Sequence, residues 1–162
     1  MKKKTTVLIA LLCLFLNSCI STKADISKKN VSKKIITKTD KILAKAVTYK
    51  GVGYRYGGTT RRGMDCSGLI YTVFKSEGLV LPRVSRFMAT KGSSVSLKNI
   101  QKGDLLFFKT SGRNRINHVG LVTIAKNGVI RFIHSTTSRG VIESSLSEKY
   151  WQRTYTKAKR VL

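Results

Sequence analysis

The sequence predicts an α+β fold, with helices in the first half of the chain and an antiparallel sheet in the second half. Three observations support this prediction. Between residues 39 and 77, apolar residues recur at helical spacing, and glycines separate the segments. After residue 104, short runs rich in β-branched, aromatic and leucine residues follow one another. The dipeptide Asn127-Gly128 lies between two of these runs and is typical of a tight hairpin turn. A content of 41% hydrophobic and 24% charged residues favours a globular chain.

The chain begins with a segment typical of a secretory signal. Three lysines at residues 2–4 precede the apolar run Val7–Leu16, which is ten residues long and too short to span a bilayer as a helix. The run leads into Leu16-Asn17-Ser18-Cys19, which resembles the bacterial lipobox. We therefore predict that residues 1–18 are a lipoprotein signal peptide and that Cys19 carries acyl chains. The alternative is an ordinary cleaved signal in which Cys19 has no special role.

Lipidation would hold the protein at a membrane, because each buried CH₂ group contributes about 0.8 kcal/mol. We expect a location in the cell envelope. Ile20 is not the aspartate that favours retention in the inner membrane of Gram-negative species, so the outer membrane, facing the periplasm, is the expected site in such an organism.

The segment 19–38 is rich in lysine, serine and threonine, and we interpret it as a flexible basic tether. Its lysines serve either solubility or binding. The formal net charge is +25, and residues 51–162 alone carry 20 basic and 5 acidic side chains. Such a balance often indicates nucleic acid. The predicted signal argues against that partner and favours anionic wall polymers, lipid headgroups or peptidoglycan carboxylates.

Residues 39–162 form the predicted domain, and its helices come first. The first helix has Thr39 or Asp40 as its N-cap and ends at Gly51. The glycine-rich stretch 51–63 is predicted to be a loop. A second helix runs over 66–77, with Asp65 as N-cap and Gly78 as its end. A short third helix is expected over 85–91.

Four strands and a helical turn complete the domain. The strands are predicted over 104–109, 116–125, 129–135 and 155–162. The helical turn is predicted over 148–153. Helices followed by antiparallel strands give the α+β class.

Cys66 is the one cysteine left without an assigned fate, because Cys13 leaves with the signal and Cys19 carries lipid. An unpaired thiol in an oxidising compartment is a liability unless it is buried or has a function. At the start of the second helix, unpaired backbone N–H groups would favour its thiolate form. A buried cysteine that acts only as a small hydrophobic residue is the alternative.

The chain has two histidines, His118 and His134, and both fall in predicted strands. Gly120 lies on the same strand face as His118 and leaves room for another side chain or a substrate. A buried His134 could hold His118 in one tautomer, which would complete a nucleophile, base and orienting group. Two core histidines unrelated to Cys66 are one alternative. A zinc site with Asp65 or Asp104 as a further ligand is another, although the short spacing typical of zinc motifs is missing.

Six sequence blocks in order resemble the NlpC/P60 family of wall peptidases, and together they cover roughly residues 40–162. The blocks are Gly53-Tyr54-Arg55-Tyr56-Gly57-Gly58, Gly63-Met64-Asp65-Cys66-Ser67-Gly68-Leu69-Ile70, Leu81-Pro82-Arg83-Val84-Ser85, Gly103-Asp104-Leu105-Leu106-Phe107-Phe108, Asn117-His118-Val119-Gly120-Leu121 and Phe132-Ile133-His134-Ser135. Trp151 and Arg160 also fit the closing segment of the family.

This resemblance implies a papain-like fold, with N-terminal helices packed on a central antiparallel sheet. It implies that Cys66 attacks the substrate, that His118 is the base and that His134 orients His118. Tyr54 matches a tyrosine beside the nucleophile that contacts the substrate or the oxyanion. Positions lining the substrate groove are matched by Asp65, Ser67, Arg83 and Ser85. For Arg83, a structural ion pair is the alternative.

The activity implied is hydrolysis of an amide bond in the peptidoglycan stem peptide through an acyl-enzyme, with no cofactor and no metal. Family resemblance implies the bond between the γ-carboxyl of D-glutamate and diaminopimelate. The expected partners are stem peptides and, through the lipid, a membrane; no nucleic acid is expected, and a monomer is favoured. The alternatives are an amidase or another stem-peptide hydrolase on the same fold, and a catalytically inactive wall-binding lipoprotein.

Overall fold

Four helices and eight strands make up the part of the chain that the structure, a computed structural model, describes: residues 35–112 and 114–162. The predicted signal peptide, Cys19 and the tether up to residue 34 lie outside the described residues. Within the described part, no helix combines the length and apolar content needed to cross a bilayer.

The elements follow the order helices, then sheet, which confirms the α+β prediction. In chain order they are α1 (Lys38–Val47), β1 (Thr59–Thr60), β2 (Gly63–Met64), α2 (Cys66–Lys75), α3 (Ser85–Met88), β3 (Ser93–Val95), a 3₁₀ turn (Leu97–Asn99), β4 (Leu105–Phe108), β5 (His118–Lys126), β6 (Val129–Thr136), β7 (Gly140–Ser145), α4 (Lys149–Thr154) and β8 (Tyr155–Arg160). Six strands form an antiparallel sheet in the order β3-β8-β4-β5-β6-β7.

Helix α1 begins earlier than predicted. Its N-cap is Thr37, whose side chain accepts a hydrogen bond from the Asp40 backbone N–H, while the Asp40 carboxylate accepts from the Thr37 N–H. This reciprocal pair is a capping box. The prediction of Thr39 or Asp40 as the cap was wrong because Asp40 acts at the third helical position. The helix also ends before Gly51, with Thr48 as its C-cap.

Four strands were not predicted in their own right. The stretch 51–63, predicted to be loop, contains β1 and the start of β2, a two-stranded hairpin. Strands β3 and β7 are the two edges of the large sheet, and both are short and serine-rich. Edge strands can be polar on their open side, so their apolar alternation is weak.

The hairpin between β5 and β6 forms where the sequence predicts it. Asn127 and Gly128 both have positive φ, at 50° and 77°, and Lys126 pairs with Val129. A two-residue turn of this type requires positive φ at both positions, which asparagine and glycine tolerate best.

The sheet packs apolar side chains on both of its faces. Alternating residues of β4 illustrate this: Leu105 and Phe107 pack with α1 and α2, whereas Leu106 and Phe108 pack with Trp151 of α4. Helix α2 lies against β5 and β6. This contact positions the start of α2 beside the start of β5, where two of the candidate catalytic residues lie.

Candidate active site

Cys66 is the first residue of α2, and the loop before it is fixed by Asp65. One carboxylate oxygen of Asp65 accepts from the Gly68 backbone N–H at 2.6 Å, as expected of an N-cap. The other oxygen accepts from the Gly57 N–H at 2.8 Å. The cap therefore ties the glycine-rich loop to the helix start and holds Cys66 at the loop-helix junction. Cys66 is half-buried, and it is the free cysteine of the described residues.

The thiol of Cys66 points toward the start of β5. Its Sγ donates to the backbone carbonyl of Asn117 at 3.9 Å, and Asn117 directly precedes His118. Cys66 and His118 both line a cleft of about 420 Å³. The amide side chain of Asn117 fixes the start of β5 to residue 110, because it accepts from the Thr110 N–H at 2.7 Å and donates to the Thr110 hydroxyl at 2.9 Å.

A chain of hydrogen bonds runs from His118 into the sheet. His118 Nε2 lies 2.9 Å from Nδ1 of His134, and His134 Nε2 lies 3.0 Å from the hydroxyl oxygen of Ser144. All three side chains are buried. Both histidines were predicted as site residues from the sequence, but Ser144 was not. Ser144 lies on the unpredicted strand β7, and a serine by itself does not indicate a site.

These contacts allow two arrangements of the ring protons, and one of them leaves Nδ1 of His118 as an acceptor. If His118 carries its proton on Nε2, it donates to Nδ1 of His134, whose own proton on Nε2 then donates to Ser144. Nδ1 of His118 is left with a free lone pair. An imidazole with its outer nitrogen unprotonated is what a general base requires.

Aromatic rings enclose the histidine pair. Trp151 stacks on His118 with ring centroids 5.2 Å apart and 24° between the planes, and it meets His134 edge-on at 4.6 Å. Phe132 lies 4.7 Å from His134. A Cβ added at Gly120 would lie 2.4 Å from the Phe132 ring. The space beside His118 that the sequence analysis noticed is therefore filled by Phe132.

Burial lowers the pKa of both imidazoles. The pKa of His118 falls to about 4 through loss of hydration. The pKa of His134 falls to about 2, again mainly through burial, with smaller contributions from His118 and from the positive charge of Arg139. Both rings are therefore neutral at physiological pH, which leaves His118 able to accept a proton.

The pKa of the Cys66 thiol does not follow the expectation from its helix position. This pKa is raised to about 11, mainly by burial and to a smaller extent by the charge of Asp65. Backbone N–H groups of Val119, Ser67 and Cys66 itself lower it, but by less than burial raises it. Favourable backbone dipoles are thus present, as expected at a helix start, but desolvation outweighs them. The thiol and the imidazole are therefore both neutral near pH 7, and ionisation of the pair requires proton transfer between them.

Tyr54 lies in the cleft with Cys66 and His118. An isolated β-bridge to Met64 fixes its backbone beside the start of α2. Burial and then the neighbouring Cys66 raise the pKa of its phenol, so the hydroxyl keeps its proton and can act as a hydrogen-bond donor.

The remaining predicted groove residues form a network beside the cleft. The Arg83 guanidinium donates to both oxygens of Asp65, at 2.9 and 2.8 Å, and to the Ser67 hydroxyl at 2.9 Å. Burial raises the pKa of Asp65, but the hydrogen bonds from Arg83 and Gly68 outweigh that effect, so the net shift is downward. Ser85 is buried at the start of α3. Asp65, Ser67, Arg83 and Ser85 are outside the lining of the 420 Å³ cleft, and the ion pair considered for Arg83 is present.

The zinc alternative requires several ligands that face one point. Within residues 35–112 and 114–162, no three His, Cys, Asp or Glu side chains are arranged as a metal site. Asp104, one of the ligands considered, instead accepts two hydrogen bonds from Arg160, both at 2.8 Å.

Comparison with known proteins gives a consistent picture. Residues 51–160 match the NlpC/P60 family. An Escherichia coli K12 protein named murein DD-endopeptidase MepS/murein LD-carboxypeptidase is 42% identical over 123 residues, which are 75% of this chain and 62% of that protein. The chain thus spans less than two thirds of the length of this relative. A Haemophilus influenzae protein named probable endopeptidase is 34% identical, and the alignment covers 99% of this chain and 100% of that protein.

The fold is also found among solved structures. A crystal structure of an NlpC/P60 family protein from Bacillus cereus aligns with a TM-score of 0.70 and 32% sequence identity. It covers 76% of this chain and 40% of the other.

Proposed function

Because the chain belongs to the NlpC/P60 family, we propose that it is a cysteine endopeptidase that hydrolyses amide bonds in the stem peptides of peptidoglycan. The observation that carries this proposal is the hydrogen-bonded chain from His118 through His134 to Ser144, which opens onto the same cleft as the free thiol of Cys66. The names of the relatives support the substrate, since the Escherichia coli protein is called a murein endopeptidase.

The reaction begins with proton transfer from the Cys66 thiol to Nδ1 of His118. Sγ attacks the carbonyl carbon of the scissile amide and forms a tetrahedral intermediate whose oxygen carries a negative charge. The backbone N–H of Cys66 and the Tyr54 hydroxyl are the proposed donors to that oxygen. His118, now an imidazolium, gives its proton to the leaving amine, and the C–N bond breaks to leave a thioester on Cys66.

Water completes the cycle. His118 accepts a proton from water as the oxygen attacks the thioester, and the proton then returns to Sγ as the C–S bond breaks. The products are a carboxylic acid and a free amine. His134 and Ser144 fix the ring orientation of His118 through both steps, and Trp151 shields the ring pair from bulk water.

The neutral resting pair is compatible with this mechanism. Burial opposes the charged form of each partner separately, but a thiolate and an imidazolium in one site stabilise each other. Positive charge on the domain also suits a substrate that carries free carboxylates.

More than one stem-peptide bond is a candidate for cleavage. Family resemblance implies the bond between D-glutamate's γ-carboxyl and diaminopimelate. The name of the Escherichia coli relative instead specifies DD-endopeptidase and LD-carboxypeptidase activities, and this favours the D-alanyl cross-link or the C-terminal D-alanine as the second candidate.

Digestion of purified peptidoglycan, followed by mass spectrometry, tests the proposal. Wild type is expected to release fragments that Cys66→Ser does not, while Arg153→Gln, an exposed change on α4 outside the cleft, behaves as wild type. Each candidate bond leaves a different new terminus, so the fragments identify the bond. Equal fragments from wild type and Cys66→Ser would refute cysteine catalysis. Binding without any cleavage would support the wall-binding alternative, and release of stem peptides cut from the glycan would support the amidase.

We also propose the envelope location that the sequence predicts, with a signal over residues 1–18, a lipid on Cys19 and an outer membrane site in a Gram-negative cell. The tether begins at Cys19, and its predicted end at residue 38 moves to a point before Thr37, because Thr37 caps α1 and the catalytic domain begins there. Labelling of cells with a radioactive or clickable palmitate analogue tests the location. Wild type is expected to incorporate the label and to sediment with membranes, whereas Cys19→Ala should do neither. Label retained by Cys19→Ala would contradict the proposed site.

A further inference from the structure

The cleft that holds Cys66 and His118 is lined mostly by neutral polar and aromatic side chains. Two of the residues that line it are charged, Arg139 and Glu148. Arg139 lies in the turn between β6 and β7, and its side chain is exposed. A single cation beside a reacting centre is a candidate for substrate recognition.

Arg139 differs from the arginines that stabilise the fold. Arg83, Arg131 and Arg160 each form an ion pair with a carboxylate, namely Asp65, Glu143 and Asp104. In the described residues, no carboxylate forms an ion pair with Arg139. Its guanidinium therefore has its donors available in the cleft.

Glu148 is not within ion-pair distance of Arg139. One carboxylate oxygen of Glu148 accepts from the Ser145 backbone N–H at 2.7 Å and so holds the end of β7 to the start of α4. This hydrogen bond gives Glu148 a structural role in the connection between β7 and α4.

The backbone of Arg139 is held in place by the turn. Its N–H donates to the Thr136 hydroxyl oxygen at 3.1 Å, and the same hydroxyl donates to the Gly140 carbonyl at 3.3 Å. Gly140 has φ of 62°, and a Cβ there would lie 2.2 Å from the Val52 carbonyl oxygen. The turn therefore packs closely against the segment that carries Tyr54. The backbone of Arg139 is fixed at the wall of the cleft.

We propose that Arg139 binds a free carboxylate of the stem peptide next to the scissile bond, and that the enzyme thereby discriminates between free and amidated stem peptides. This inference rests on the proposed function. A guanidinium offers two parallel N–H donors that match a carboxylate, whereas a carboxamide presents one acceptor and no charge. Stem peptides offer two such groups, the α-carboxylate of D-glutamate and a carboxylate of diaminopimelate.

The charge of Arg139 already acts on the catalytic group, because it contributes to the lowered pKa of His134. A carboxylate bound to the guanidinium would offset that positive charge close to the two imidazoles. Carboxylate binding would therefore also favour the imidazolium that forms on His118 during the reaction.

Three synthetic stem peptides test the inference: one with both carboxylates free, one with the D-glutamate α-carboxamide and one with the diaminopimelate carboxamide. Wild type is expected to cleave the free peptide with a kcat/KM about tenfold or more above that of one amide, which is the range expected of a charge-assisted hydrogen bond. The amide that is disfavoured identifies which carboxylate Arg139 binds.

Two variants and a control complete the experiment. Arg139→Gln should bring the ratio of free to amidated peptide close to one, and Arg139→Lys should give an intermediate ratio. Arg153→Gln removes one exposed positive charge outside the cleft and should keep the wild-type ratio. An unchanged ratio in Arg139→Gln, an equal loss on all three peptides, or no preference in wild type would overturn the inference. Failure of the proposed function looks different, since all peptides would then stay uncleaved or Cys66→Ser would cleave them.

Discussion

The ring of His118 presents a free Nδ1 because its Nε2 is engaged by His134. The identity of the base follows from this contact rather than from the pKa of His118 alone, since burial lowers the pKa of both rings. The Ser144 hydroxyl lies 3.0 Å from Nε2 of His134 and can accept the proton that this nitrogen carries when His118 has its proton on Nε2. In the proposed mechanism, catalysis depends on which ring nitrogen carries the proton in each histidine.

A change at His134 tests this dependence. His134→Ala removes the acceptor for Nε2–H and lets His118 adopt the wrong tautomer, so kcat should fall by about 10²- to 10⁴-fold with little change in KM. His134→Asn keeps an acceptor oxygen and should retain more activity than the alanine variant. Steady-state kinetics on a defined stem peptide measures both. Equal activity in wild type and His134→Ala would exclude the orienting role.

The sequence was informative about residues that occur rarely. Two histidines and one free cysteine left few candidates, and the strand pattern indicated that His134 points inward, where it is fully buried. Ser144 could not be found, because the chain contains many serines and only the β6-β7 pairing brings this one to His134. The raised pKa of Cys66 was also missed, since sequence reveals the helix start but not the degree of desolvation.

At the scale of elements, the start of α2 depends on Asp65. This one side chain caps the helix, holds the Gly57 N–H and pairs with Arg83. The same residue matches a substrate-groove position of the family, so a binding role is predicted for it in addition to this structural one.

Stability measurements separate these two roles. Asp65→Ala removes the cap and leaves the Arg83 charge half-buried without its partner, so the free energy of unfolding should fall by about 2–4 kcal/mol. Asp65→Asn can still cap and should lose less. Arg153→Gln, an exposed change on α4, serves as the control. Urea denaturation measures all three, and a loss below about 0.5 kcal/mol for Asp65→Ala would show that the network contributes little.

Elements with a strong local signal were predicted well. The second helix and the β5-β6 hairpin lie where the caps and the Asn127-Gly128 turn indicate. Strands β3 and β7 were not predicted because hydrogen bonds to one neighbour, rather than an apolar alternation of their own, define them. Long-range pairing of this kind leaves no local pattern.

For the whole molecule, the two buried histidines couple stability to pH. Their folded pKa values lie below the unfolded value of about 6.5, so the unfolded chain binds protons first as the pH falls. Their contribution is complete above pH 6.5 and is lost progressively as the pH falls toward the folded values. Asp65 and Glu143 have lowered pKa values, and their contribution is lost at lower pH, below the ordinary carboxyl range.

We therefore expect the free energy of unfolding to fall between pH 6.5 and pH 4. The shift of His118 alone accounts for a loss of about 3 kcal/mol over this window. His118→Asn should flatten the dependence, although its absolute stability at pH 7 can differ from wild type. Chemical denaturation at a series of pH values measures the slopes. Parallel curves for wild type and His118→Asn would mean that His118 keeps its ordinary pKa in the folded protein.

The most direct test of the account is the rate at which Cys66 reacts with iodoacetamide at pH 7, read by peptide mapping so that Cys13 and Cys19 are counted separately. If His118 accepts the Cys66 proton as Sγ reacts, wild type should react at least about tenfold faster than His118→Gln, because burial raises the pKa of the thiol to about 11 and the thiolate is scarce unless a base removes the proton. Activity should disappear in step with modification. Equal rates in the two proteins, or full activity after Cys66 is alkylated, would contradict the proposed pair.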